Sequence, residues 1–463
     1  MQTIVALSTG PAHGAIAVVR LSGAEALAIA ERLFRSAAGV PLSALPPRSV
    51  HFGELWDGDA AIDQVVLSYY QAPHSYTGED VVEFSCHGSS YVVERLLQMA
   101  VESGARLAKR GEFTRRAFLN GKMDLVQAEA VADLINAQTA PQAEVAFLQL
   151  KGDLSRDVKT LQSQLLELAA LLELELDFSE EDVEFADRTK LMQLVESASK
   201  KVDALLNSYT AGNALREGVR VVIAGAPNAG KSSLLNALAR EEVALVSDIP
   251  GTTRDAIETT LRNGGLLFRL IDTAGLRVAD DPVERMGVAR AEQRIAQASV
   301  LMVVVDSTLP WECVRAAVAE AMDHADSAAD VAVLLSKSDL SSESVLEGLQ
   351  ARVQKEVPRA LVMRWAAPTH YGEQDILEWL SGIATRLLPK AGDAVVTSVR
   401  HVAALSEAQR GLHSLTEALE NRTPTDILAF QLRETIDSLA AITGEVSNDA
   451  VLDYIFSRFC IGK

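Results

Sequence analysis

Three cysteines in 463 residues, Cys86, Cys313 and Cys460, are too few and too scattered to frame a disulfide-stapled or zinc-bound fold. Such usage suits a reducing compartment, and a cytoplasmic location is expected. No stretch of about 18 uninterrupted apolar residues occurs, so no membrane span is expected. The opening MQTIVALSTGPAHG has neither the basic start nor the cleavage pattern of a secretory signal. Positive charge is also scarce: 43 lysines and arginines against 63 acids give a net charge of −20. A surface of that sign does not broadly attract nucleic acid, so RNA contact requires a local basic patch or a partner. The best local patch is Lys109-Arg110 with Arg115-Arg116. No internal repeat is visible, and there is only one phosphate-loop pattern.

With 48% apolar residues the chain can bury real cores, and its length allows about three domains. Short strands are expected at 3–8 and 14–21, then an amphipathic helix at 23–35. Further strands at 49–56, 62–70 and 81–86 and a helix at 88–103 complete a small α/β (α+β) domain. From Lys122 to about Asn213 the pattern changes to long helices, interrupted by the acidic FSEEDVEF at 178–185. Strand–helix alternation follows to about Leu387, as in a doubly wound sheet. After Pro389 helices return at 398–420, 425–441 and 447–458. The expected organisation is therefore an N-terminal domain (1–121) and a helical domain in two parts (122–217 and 388–463). An α/β domain (218–387) is inserted between the parts.

The inserted domain opens with VRVVIAGAPNAGKSS (219–233), a strand–GxxxxGK[ST]–helix pattern. Its glycines let backbone N–H groups of Asn228, Ala229 and Gly230 turn onto a triphosphate. Lys231 reaches the outer phosphates, Ser232 is placed to hold Mg²⁺, and Ser233 continues the helix N-terminus. Three elements downstream complete a nucleotide site. Ser247-Asp248-Ile249-Pro250-Gly251-Thr252-Thr253 forms a loop whose Thr253 can join the Mg²⁺ shell. LFRLIDTAG ends a strand at Asp272, followed by Thr273, Ala274 and Gly275, where a carboxylate anchors the metal through water. VAVLLSKSDL ends at Ser336, Lys337, Ser338 and Asp339, and the Asp339 carboxylate can accept the paired guanine donors that adenine lacks.

Together these elements resemble the translation-factor-type GTPases. Ser336 stands where that pattern has Asn, removing an amide that helps hold the base and the phosphate loop. The later Ala366, Ala367 and Pro368 replace a Ser-containing element that mainly offers backbone N–H groups. Leu276 follows Gly275, where Ras-like enzymes carry a water-orienting glutamine. Asn228 and the 247–253 loop match the subgroup in which a monovalent cation replaces the arginine finger. In that subgroup K⁺ would take oxygens from Asn228, Ser247, Ile249 and Thr252. Asn228 also reads simply as a turn residue.

Over its entire length the chain resembles the tRNA-modification GTPase MnmE (TrmE) family. The resemblance rests on VVRLSG (18–23), SYTGEDVVEFSCHG (75–88), RGEFTRRAFLNGKMDLVQAEAVADLI (110–135), the GTPase set and FCIGK (459–463). It implies a GTP hydrolase that installs a carboxymethylaminomethyl or aminomethyl group at carbon 5 of the tRNA wobble uridine. The partners it implies are an FAD-dependent MnmG-type protein, in a heterotetramer, and a second copy of the chain. The one-carbon unit comes from a tetrahydrofolate derivative, the 5,10-methylene or 5-formyl form. By position, folate contacts fall on Arg20, Glu83, Lys122 and Lys463, and catalytic roles on Glu284 and Cys460. Without the resemblance Arg20 and Lys122 read as surface charges, Glu284 as a helix first-turn acid and Cys460 as a buried apolar filler. A ribosome-assembly GTPase of the Der type shares VSDIPGTTRD but carries tandem GTPase domains, absent here. A GTP switch with an unrelated helical effector is the third reading.

Overall fold

The computed structural model describes residues 1–10, 14–177, 188–240, 258–272, 293–389, 394–447 and 449–462. They form two compact units. One comprises residues 1–136, 146–203 and 403–463, the other 137–145 and 204–402.

The first unit is built on a seven-stranded sheet: β1 (Ile4–Leu7), β2 (Ile16–Ser22), β3 (Phe34–Ser36), β4 (Ser49–Asp57), β5 (Ala60–Tyr70), β6 (Val81–His87) and β7 (Arg106–Leu107). Its order is β3-β4-β5-β6-β2-β1-β7, and every pairing is antiparallel except β1 with β7. Strand alternation sorts side chains onto two faces. One carries Val19, Leu67 and Phe84 and is covered by α1 (Ala26–Leu33) and α2 (Ser90–Glu102). The opposite parity places Phe52, Val66, Ser85 and Val18 in one cross-strand row and Val50, Ser68, Glu83 and Arg20 in the next. Val50 is 70% exposed and Phe52 54%.

Helices α3 (Glu112–Leu119), α4 (Leu125–Asn136), α6 (Asp153–Asp177), α14 (Thr425–Thr443) and α15 (Asp449–Ser457) are among those that also belong to this unit. Leu125 and Ala128 of α4 pack on Leu452, Ile455, Phe456 and Phe459. Between α6 and α14, Arg433 pairs with Glu173, and Thr425 donates to Glu175 at 3.2 Å. The chain past α15 returns to the start of the sheet. Ser8 Oγ donates to the Gly462 carbonyl at 3.2 Å, and Gly111 N–H to that of Cys460 at 3.4 Å. Gly462, with φ 96°, lies so close to Leu7 that a Cβ there would stand 2.1 Å from its carbonyl oxygen.

A buried ion network ties α3 to the sheet. Arg116 pairs with Glu79 at 2.8 Å and Glu112 at 3.1 Å, and Glu112 also pairs with Arg106. Burial pushes the Glu112 carboxyl up, but hydrogen bonds from Arg106, the Lys109 backbone and Arg116 outweigh it and set it to about 2, below the ordinary 4.5. The folded state therefore holds this carboxylate more firmly than the unfolded chain does. The stability it adds is complete above pH 4.5 and is lost as pH falls toward 2. Urea midpoints by circular dichroism should show a gap between wild type and Glu112→Gln that is full at neutral pH and narrows over that acid range. A gap that stays constant would contradict the assignment.

The second unit holds a six-stranded sheet of β8 (Val219–Ala224), β9 (Glu258–Asn263), β10 (Leu266–Asp272), β11 (Val300–Asp306), β12 (Asp330–Ser336) and β13 (Leu361–Arg364). The order β13-β12-β11-β8-β10-β9 is parallel except for the β9–β10 hairpin. Gly264 and Gly265, at φ 57° and 86°, make the hairpin turn. Val221, Leu270, Met302 and Leu334 face one core layer, and Val222, Ile271, Val303 and Val333 the other. Both faces of these strands are buried, which explains their nearly unbroken apolar sequences. All the parallel strands end on the same side, and that is where the site forms.

Candidate functional site

β8 runs into a turn whose geometry the sequence dictates. Gly225 has φ 138°, and a Cβ there would meet the Val304 carbonyl oxygen at 2.1 Å, so only glycine fits. Asn228 follows at φ 60°, a left-handed conformation that asparagine tolerates, with its side chain exposed. Gly230, at φ 103°, packs against the buried Trp365 ring. Helix α9 (Lys231–Arg240) starts at once, so the loop's N–H groups and the helix N-terminus share one pocket. Lys231 is only 5% exposed, and its ammonium donates to the Gly225 and Ala226 carbonyls at 2.8 and 2.9 Å. Ser232 Oγ lies 3.1 Å from Asp272 Oδ2 at the end of β10. Two hard oxygen donors, one from the start of α9 and one from the end of β10, are thus side by side, the donor type Mg²⁺ takes.

The base element sits two strands away. Ser336, fully buried, reaches the Ala229 carbonyl of the phosphate loop at 2.6 Å and the Val305 carbonyl at 3.0 Å. A hydroxyl carries one proton, so it serves these two acceptors with a single donor. The expected loss of a tie to the phosphate loop is therefore corrected: the serine hydroxyl makes that tie. Lys337 adopts the left-handed region at φ 54°, and Asp339 is exposed in the one-turn helix Ser338–Leu340. In the Ala366–Pro368 element, the Ala366 N–H is bonded to the Tyr371 carbonyl at 3.1 Å. Pro368 has no N–H, which leaves Ala367 as that element's donor.

In the first unit, Arg20 and Glu83 face each other across β2 and β6. Arg20 Nε and Nη2 both meet Glu83 Oε1 at 2.7 Å. The guanidinium lies over the Tyr76 and Phe113 rings at 5.4 and 5.7 Å, and the Tyr76 hydroxyl is 2.9 Å from that of Thr114. Burial pushes the Tyr76 phenol above its ordinary range. Lys122 donates to the Pro73 carbonyl at 3.0 Å, its stem against Gly78. The 71–80 loop thus touches both basic residues.

A family model described as the MnmE helical domain matches residues 125–460, and one described as the GTP-binding protein TrmE N-terminus matches 3–122. A protein of Bacteroides thetaiotaomicron named tRNA modification GTPase MnmE is 42% identical over all of this chain and 99% of its own length. Those of Christiangramia forsetii and Porphyromonas gingivalis bear the same name and are each 41% identical over all of this chain and 99% and 98% of theirs. The chain belongs to the MnmE family.

Of the residues that the MnmE resemblance marks, Cys460 is exposed, so its reading as a buried apolar filler is wrong. Ser247, Asp248, Ile249, Pro250, Gly251, Thr252, Thr253, Thr273, Ala274, Gly275, Glu284 and Lys463 lie outside the described residues. The basic patch is also corrected. Arg116 is buried in the Glu79–Glu112 network, and Arg115 pairs with Asp449 and Asp453. One residue beside the site escaped the sequence reading: Asp306, which ends β11 and pairs with Lys337 at 2.5 Å. VLMVVVD is an apolar run closed by an aspartate, the same signal that marked Asp272. Among the described residues no helix is long and apolar enough to cross a membrane.

Proposed function

We propose that this chain is a K⁺-stimulated GTPase acting in tRNA wobble-uridine modification. The observation that carries the GTPase part is the convergence of Lys231, Ser232 and Asp272 at the carboxyl ends of β8 and β10. The full-length similarity to proteins named tRNA modification GTPase MnmE supports the tRNA-modification part and sets aside the ribosome-assembly reading. The four segments 1–121, 122–217, 218–387 and 388–463 are proposed as its functional divisions.

In hydrolysis a water attacks the γ-phosphorus, the bond to the β-phosphate oxygen breaks, and GDP and phosphate leave. Lys231 neutralises charge on the outer phosphates, and backbone N–H groups of residues 228–232 cradle them. Ser232, with Thr253 and Asp272, would hold Mg²⁺, which when bound offsets phosphate charge. Asn228, with Ser247, Ile249 and Thr252, would hold K⁺ in the role of an arginine finger. Glu284 orients the attacking water through a second water. Asp339 selects guanine by accepting its paired donors.

The modification half is assigned to the first unit. Arg20, Glu83, Lys122 and Lys463 are proposed to bind a tetrahydrofolate derivative, with Cys460 beside it. The Arg20–Glu83 pair lies on the sheet face that bears the exposed Val50 and Phe52, and the exposure of these two apolar side chains supports homodimerisation there. An FAD-dependent MnmG-type partner, a tRNA substrate and a cytoplasmic setting complete the proposal.

The test is GTP turnover by the full chain at saturating GTP in K⁺ and in Na⁺. The rate should rise several-fold in K⁺. Asn228→Ala should erase the rise while leaving GDP binding nearly intact. Equal rates in the two salts would end the cation assignment.

A further inference from the structure

The carboxyl end of β11 is wedged between the two halves of the nucleotide site. Its Val304 carbonyl abuts Gly225 of the phosphate loop, and its Val305 carbonyl accepts from Ser336 of the base element. The next residue is Asp306, 9% exposed and directly opposite Ser336 in the ladder. Its Oδ2 takes the Lys337 ammonium at 2.5 Å. Its Oδ1 takes the Thr308 hydroxyl and backbone N–H at 2.7 and 2.9 Å. The neighbouring Ser307 hydroxyl donates to the Lys337 carbonyl at 3.2 Å, and the Ser307 N–H to the Ser336 carbonyl at 3.0 Å.

These bonds converge on a residue that needs them. Lys337 is a non-glycine residue in the left-handed region, a conformation that persists only where its surroundings hold it. That turn directs the following Ser338 and Asp339 out of the sheet and into the one-turn helix. Asp339 itself is exposed, so its position depends on what fixes the turn before it.

We propose that Asp306 is a positioning residue for base selection: by clamping Lys337 it fixes the turn that presents Asp339 to guanine. Through Ser336 on Ala229, the same strand end locks that turn to the phosphate loop. The inference rests on the guanine-nucleotide reading of this site. Burial pushes the Asp306 carboxyl up, yet hydrogen bonds from Lys337 and Thr308 hold it below the ordinary carboxylate range, so the clamp is charged at neutral pH.

Equilibrium titration of the full chain with methylanthraniloyl-GDP and methylanthraniloyl-ADP tests both layers. Wild type should prefer GDP; if it does not, the guanine reading falls and takes the inference with it. With that preference in place, Asp306→Asn should weaken GDP about tenfold and ADP by less than about twofold, the scale of one charge-assisted hydrogen bond. In a Lys337→Met background the same change should cost GDP binding less than about threefold, because the two act as a pair. An unchanged GDP affinity, an equal loss for both nucleotides, or full additivity with Lys337→Met would overturn the inference. Should Asp306→Asn lose its thermal unfolding transition, Thr308→Val serves instead. It removes one bond to the carboxylate and should narrow the GDP preference by about threefold; no narrowing would overturn the inference.

Discussion

With Lys231 replaced by alanine, GTP turnover should fall about 10²–10³-fold, the scale of removing one preorganised charge-stabilising donor. The ammonium sits at the first position of α9, almost fully buried, with the Gly225 and Ala226 carbonyls within 3 Å. Its desolvation has therefore been met in the folded loop, and it need only exchange carbonyl dipoles for phosphate oxygens when GTP arrives. Arginine should not rescue it. A planar fork with five donors does not fit between two carbonyls that hold a compact ammonium. Single-turnover hydrolysis of labelled GTP by the Lys231→Ala and Lys231→Arg chains decides the matter. A loss smaller than about tenfold would mean that this loop does not carry the phosphates.

Replacing Arg116 with alanine should destabilise the first unit by up to about 3–5 kcal/mol, because it takes a buried guanidinium from the part-buried Glu79 carboxylate and leaves Glu112 with Arg106 alone as its ion-pair partner. The side chain is 2% exposed and bonds Glu79, Glu112 and the Gln2 carbonyl, joining α3 to the start of the sheet and the loop before β6. By contrast Arg115→Ala, which breaks pairs with the exposed Asp449 and Asp453, should cost no more than about 1 kcal/mol. Hydrogen exchange of β1 and β2 amides in the full chain measures the difference. If both variants exchange like wild type, the buried network is not what anchors this helix.

The two adjacent arginines show where sequence reading stops. Periodicity did not mark α3, and it could not say which of Arg115 and Arg116 faces inward, since the acids that bury Arg116 lie at 79 and 112. Elements governed by local pattern were legible. The helices expected at 398–420, 425–441 and 447–458 appear at Val399–Glu420, Thr425–Thr443 and Asp449–Ser457. The strand–glycine–lysine signal of the phosphate loop was equally plain, because each glycine there answers a steric demand within a few residues. The β9 strand went unseen: ETTLRN has no apolar run, and only the Gly264-Gly265 turn pairs it with β10. The Ser336 hydroxyl bridges 107 residues to Ala229, a distance at which spacing is silent and residue type alone suggested a loss.

The contact between Ser8 and Gly462 joins residues 454 positions apart. At synthesis rates of about 5–20 residues per second, the second partner emerges roughly 20–90 s after the first. The strands at the start of the chain are therefore made long before Cys460 and Gly462 can come to rest on them. Whatever the Arg20–Glu83 face binds with help from Cys460 and Gly462, it can bind only on chains translated at least that far. A product stalled inside the GTPase domain would carry the strands of the sheet and not the finished site.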